Sequence, residues 1–145
     1  MRKNVLLISM ILSMFVFGLQ IAEPAAATSW KTIDHGNFKL TQHYTYTNVT
    51  CNYKWTTYQK GKNYVKVVGY GYNPSTNVGA YLYNYYKKVS KTKLKISSKE
   101  VVKYYNLGAT RTLNLGSGYA HTKLTAVQCY WKWYRSLMIK EMKTL

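Results

Sequence analysis

The sequence predicts a mainly β, antiparallel fold, a β-sandwich or small barrel of about eight strands with one short helix, after an N-terminal signal peptide; three observations predict it. Beyond residue 28 the chain is rich in Val, Thr and Tyr, which suit a half-buried pleated surface, and all 16 tyrosines fall there. Apolar and polar residues alternate with period two in several runs. Turn-forming clusters separate these runs at hairpin spacing: QKGKN (59–63), YNPSTN (72–77) and LGSGY (115–119).

The elements follow in chain order. Residues 1–27 read as a secretory signal peptide, because Arg2 and Lys3 precede an uncharged apolar run from Val5 to Ala22 and the small-residue cluster AEPAAA. The run approaches bilayer-spanning length, so an uncleaved anchor competes, but Ala25 and Ala27 favour cleavage. No cysteine adjoins the junction for lipid attachment, and no later segment is apolar enough to span. A single secreted domain of 118 residues, 28–145, is expected.

Within it, FKLTQHYTY sets Phe38, Leu40, Tyr44 and Tyr46 against Lys39, Thr41, His43 and Thr45, and VTCNYKW sets Val49, Cys51, Tyr53 and Trp55 against Thr50, Asn52 and Lys54. NYVKVVGYGY sets Val65 and Val67 against Lys66, with Gly69 and Gly71 marking a bulge or a close backbone approach. Further strands are expected at 78–88, 92–96, 109–115, 119–128 and 129–135. The short helix is placed at 98–107, where Ser97 and Glu100 have capping-box spacing and Gly108 offers a stop, although Val-Val-Lys-Tyr-Tyr also suits a strand. The immunoglobulin pattern is not met: Val127 stands where a corner tyrosine is required, and no Trp follows the first cysteine at the expected place.

Cys51 and Cys129 are expected to form a disulfide in an exported chain, stabilising it by about 4 kcal/mol through loop closure; two buried free thiols are the alternative. Charge narrows the partners. The chain has 21 Lys+Arg against 4 acids, and without Arg2, Lys3 and Glu23 it keeps 19 against Asp34, Glu100 and Glu141. Such an excess repels itself and favours adsorption to polyanions.

The densest cationic stretch runs from Lys87 to Lys103. With 92–96 as a strand, Leu94 and Ile96 face the core while Lys91, Lys93 and Lys95 face outward about 7 Å apart, flanked by Lys87, Lys88, Lys99 and Lys103. Lysine also guards exposed sheet edges, but one or two suffice for that. A one-signed row instead fits successive anions of an extended polymer such as teichoic acid, anionic lipid headgroups, a glycan or nucleic acid. Tyr85, Trp131 and Trp133 are candidate surface aromatics beside these cations, and packing is the competing role for such rings. The tail SLMIKEMKTL reads as a loosely docked terminus or an amphipathic turn.

Catalytic signals are sparse. Three scattered acids give no carboxylate pair, His35, His43 and His121 lack metal-ligand spacing, and GSG around Ser117 is not a nucleophile elbow. No cofactor or metal is expected. A ribonuclease using His43 and His121 as acid and base is the one enzyme reading retained. In composition the profile resembles that of secreted bacterial bacteriocins and wall-binding proteins, without a motif that maps residue by residue. The leading expectation is a secreted, extracellular, non-catalytic protein adhering to an anionic envelope or extracellular polymer, and the alternative is a membrane- or wall-perturbing antimicrobial using Trp131 and Trp133.

Overall fold

The computed structural model describes residues 29–43, 45–46 and 48–143; the signal peptide expected at 1–27 lies outside the described residues. Six strands follow one another as a meander: β1 (Lys31–His43), β2 (Asn48–Gln59), β3 (Tyr64–Asn73), β4 (Val78–Ser90), β5 (Lys93–Tyr104) and β6 (Ala109–His121). Each pairs antiparallel with the next in one open sheet. A C-terminal helix follows: α1 (Ala126–Cys129), one π-helical turn (Tyr130–Tyr134) and α2 (Arg135–Lys143).

The described residues therefore form neither a sandwich nor eight strands. The strands are 10 to 13 residues long, so runs read as separate strands merge. LGSGY is not a turn: β6 continues through it, with a bulge at Leu115 and Gly116 at φ 117°. The helix expected at 98–107 is strand β5, because the alternation begun at Lys93 continues through Lys95, Lys99 and Lys103 on one side and Leu94, Ile96, Ser98 and Val102 on the other. Gly108 ends no helix; at φ 62° it closes the hairpin turn, donating its N–H to the Tyr105 carbonyl. The strand expected at 129–135 is helical. Its true start is Thr125, whose hydroxyl accepts from Gln128 N at 3.1 Å while Gln128 Oε1 accepts from Thr125 N at 2.9 Å, a reciprocal capping box.

The helix packs on one face of the sheet, placing Ala126, Cys129, Tyr130 and Met138 against Trp55, Val65, Val67, Tyr86 and Leu94. Two glycines let large rings lie flat on the strands there. A Cβ at Gly71 would sit 1.9 Å from the Tyr53 ring, and one at Gly36 would sit 2.4 Å from Trp55. The close approach anticipated at Gly71 is thus met by a side-chain ring.

The expected disulfide does not form, and Cys51 and Cys129 are both free and buried. Thr57, which bonds Tyr130 next to Cys129, is six residues along β2 from Cys51, or about 20 Å. A disulfide tolerates a Cα separation of only about 7 Å. Burial raises the pKa of both thiols.

A partly buried polar network ties the helix to β1 and β2. The Tyr130 hydroxyl donates to Asp34 Oδ2 at 2.7 Å and accepts from the Thr57 hydroxyl at 2.7 Å, while Arg135 Nε donates to the same Asp34 oxygen at 2.6 Å. Burial alone raises the Asp34 carboxyl. The hydrogen bonds from Arg135 and Tyr130, with the Arg135 charge and the His35 N–H, outweigh it and hold the carboxyl below its ordinary value.

Candidate functional site

Strand alternation and register define the opposite, helix-free face. Residues flanking the core positions Trp55, Val65, Val67, Tyr86 and Leu94 point away from the helix. They include eight lysines: Lys39, Lys54, Lys66, Lys87, Lys93, Lys95, Lys99 and Lys103. None of the described acids shares this face. Asp34 is held by Tyr130 and Arg135, Glu100 is opposite the core-packed Leu82, and Glu141 lies on α2.

Tyrosines fill the spaces between these lysines. On β4, Tyr81, Tyr83 and Tyr85 form a ladder with ring centroids 6.3 Å apart and planes inclined by 22° and 6°. Tyr70 on β3 packs on Tyr81 at 4.5 Å. Lysines lie over the rings: Lys99 over Tyr83 at 5.0 Å, Lys103 over Tyr81 at 5.2 Å, Lys87 over Tyr64 at 4.7 Å and Lys93 over Tyr119 at 4.8 Å. Lys66 lies over Trp30 at 4.4 Å. The ammonium groups thus sit over the rings in cation–π contact on the side of the sheet that the helix leaves uncovered.

At its centre Tyr85 stands directly opposite Ser97 on β5 and Lys66 on β3, and one pair along, Lys87 stands directly opposite Lys95. Like charges opposed in this way are destabilising. Burial lowers the pKa of Lys66, and the charges of Lys60 and Lys99 lower it further. Burial and Tyr83 push the Tyr85 phenol up to about 12, so it stays a neutral hydrogen-bond donor at physiological pH.

The structure divides the residues singled out from sequence. Lys87, Lys93, Lys95, Lys99 and Lys103 share the face. Lys88 does not: it points to the helix side, where its Nζ donates to the carbonyls of Lys91, Thr122 and Leu124 at 2.9, 2.6 and 2.9 Å. Lys91 sits in the β4–β5 turn at the end of the sheet, not in line with Lys93 and Lys95. Tyr85 is part of the face but only 8% exposed, forming its floor and not a presented ring. Trp131 and Trp133 are 46% and 40% exposed, on the helix and hence on the other side of the sheet from the lysines. Lys39, Lys54 and Lys66 were not singled out. Their alternation is visible in the sequence, but only the strand register puts them on the same face as the lysines of β5.

Edge protection does not account for the lysines of β5, since that strand is internal, paired with both β4 and β6. The histidine pair considered for RNA cleavage is also separated. His43 ends β1 and pairs with Asn48, whereas His121 ends β6 and pairs with Lys93 at the other end of the sheet. Four strands intervene between these two backbone positions. Among the described residues no cluster of metal-ligating side chains occurs, and no helix is long and apolar enough to cross a membrane. Comparison of the chain with protein-family models, curated proteins and solved structures gave no match.

Proposed function

We propose that this is a secreted, non-catalytic binding protein that adheres to an anionic envelope or extracellular polymer through the lysine–tyrosine face. The observation that carries the reading is the gathering of eight lysines, with no described acid, on the side of the sheet that the helix leaves open. A flat array of this kind meets many anions weakly, so affinity comes from released counterions and falls steeply with salt. Trp131 and Trp133 lie on the other side of the sheet from these lysines, beside Lys132 and Arg135, so the membrane-perturbing alternative would use the helix side instead.

Retention on immobilised anionic polymer tests the proposal. Raising salt from about 50 to about 200 mM is expected to weaken binding by at least about 100-fold, and changing Lys93, Lys95, Lys99 and Lys103 together to Gln to flatten that dependence. Retention indifferent to salt, or untouched by the quadruple substitution, overturns it.

A further inference from the structure

Independently of what the lysine–tyrosine face binds, we infer that the outer edge of β6 is a self-association site, where residues 109–114 pair antiparallel with the same residues of a second copy of this chain.

β6 ends the sheet. It pairs with β5 on one side, and among the described residues no strand lies beyond it. Its 13 residues direct a row of backbone N–H and C=O groups outward, which is a template for one more strand. Ala109, Thr110, Arg111 and Thr112 are all exposed, so this part of the edge is open to solvent.

The two edges of the sheet differ in how they are guarded. β1 carries Lys31, Asp34 and Lys39, is broken by a bulge between Thr32 and Asp34, and is tied through Asp34 to Tyr130 and Arg135 of the helix. Charges and bulges of this kind discourage edge pairing. β6 has no lysine and no proline, although the chain has 21 Lys+Arg and the internal strand β5 alone has four lysines. The bulge at Leu115 and Gly116 at φ 117° interrupt its far half, while 109–114 run in unbroken register with 99–104.

Charge favours a second copy on this edge. Two chains of net charge +17 repel each other wherever their lysines meet, and residues 109–114 hold a single cation, Arg111. Even that charge has an acid near it, since Arg111 lowers the Glu100 carboxyl against the burial that raises it.

Symmetry fixes the register. With Thr112 directly opposite the partner's Thr112, Arg111 falls opposite the partner's Leu113 and Thr110 opposite the partner's Asn114. A threonine pair then stands at the centre, and the two guanidinium groups are not opposed. Thr110 and Thr112 pair with Lys103 and Val101, which stand opposite Gly79 and Tyr81 on the lysine side. Opposed residues of an antiparallel pair share a face, so this register joins the two lysine faces on one side of a continuous sheet, with both helices on the other. One anionic polymer then meets twice the charge. Because the pairing is two-fold, it closes at the dimer.

Sedimentation equilibrium of the purified protein tests the inference. A reversible monomer–dimer equilibrium is expected, tightening about tenfold as salt rises from about 50 to about 500 mM, because screening relieves the repulsion between copies. Adhesion has the opposite salt dependence, so the two claims fail separately. Thr110→Lys with Thr112→Lys is expected to abolish the dimer. Asn37→Lys with Thr41→Lys adds the same charge at exposed positions of the β1 edge and is expected to change the dissociation constant by less than about threefold. Circular dichroism establishes that each variant is folded. Under mild oxidation Thr112→Cys is expected to give a disulfide-linked dimer and Thr110→Cys to give none, since only residue 112 meets itself and Cys51 and Cys129 are buried. A monomer at every concentration and salt, a dimer that salt weakens, association beyond the dimer, a dimer that survives the β6 lysines, or cross-linking at 110 in place of 112 overturns the inference and leaves adhesion standing.

Discussion

The two faces of one sheet use the same residue in opposite ways. On the covered face Tyr86 is 6% exposed, stacks on Tyr134 of the helix at 4.6 Å and belongs to the apolar core. On the open face Tyr83, also half of a stacked pair, lies beneath Lys99 and beside Tyr85. The difference lies in what the intervening positions supply. Val65, Val67 and Leu94 around Tyr86 attract a helix, whereas Lys66, Lys87 and Lys99 around Tyr83 and Tyr85 exclude one and keep that side in water. One face holds the fold together and the other carries no helix.

The sharpest way to break this comparison is to delete equivalent rings. Tyr86→Ala is expected to destabilise the protein by about 3–5 kcal/mol, because it opens a cavity between sheet and helix that little can fill. Tyr83→Ala is expected to cost about 1 kcal/mol, since the lysine stems and neighbouring rings relax into the space beside solvent. Chemical denaturation of both variants checks this. Equal losses would mean that the open face also functions as core.

The next effect concerns how the covered face is latched. Asp34→Asn removes the charge that receives Tyr130 and Arg135 and is expected to cost about 2 kcal/mol at neutral pH. Because the folded-state pKa of Asp34 is lowered, its contribution is fully present above the unfolded value, about 3.9, and is lost as pH falls through the folded value. Glu100 has the opposite sign. Burial raises its carboxyl despite Arg111, so it opposes folding once ionised and ceases to do so on acidification. The difference between wild type and Asp34→Asn at each pH isolates Asp34. It is expected to shrink below about pH 4, and a constant difference down to pH 2 contradicts the latch.

Much of the open face was legible, but its extent was not. The period-two alternation in FKLTQH, VTCNYKW and NYVKVVGYGY places each lysine opposite its core neighbours in β1 to β3, and QKGKN and YNPSTN are indeed turns. Alternation within a strand says nothing about which strands are neighbours, so the placing of Lys39, Lys54 and Lys66 on the face that carries the β5 lysines required the register. The helix was misplaced because two stretches carry a capping-box spacing. At Ser97–Glu100 the following Val101, Val102 and Tyr104 favour a strand and continue an existing alternation. At Thr125–Gln128 the spacing Ala126, Tyr130, Tyr134, Met138 repeats every four residues and lays one stripe on the core. The aromatic content of 129–135 concealed that stripe, as did the extra residue of the π-helical turn, which breaks a strict 3.6-residue repeat. The disulfide expectation rested on the number of cysteines and on export, neither of which says how far apart the two residues lie in the fold.

The smallest predicted effect compares adjacent residues and turns on sign. Lys88 and Lys87 are neighbours on β4 that point to opposite sides. Lys88→Met deprives three carbonyls, those of Lys91, Thr122 and Leu124, of their donor where the strands meet the helix, and is expected to destabilise by about 1 kcal/mol. Lys87→Met removes a positive charge directly opposite Lys95 while retaining an alkyl stem to cover Tyr64, and is expected to stabilise by about 0.5 kcal/mol. The gain should fade in high salt, because screening already weakens the repulsion it relieves. Thermal melts of the pair at low and high ionic strength measure both quantities. If Lys87→Met instead lowers the melting temperature, the lysines of the open face are contributing to stability, and the opposition of Lys87 and Lys95 is not a net cost to the fold.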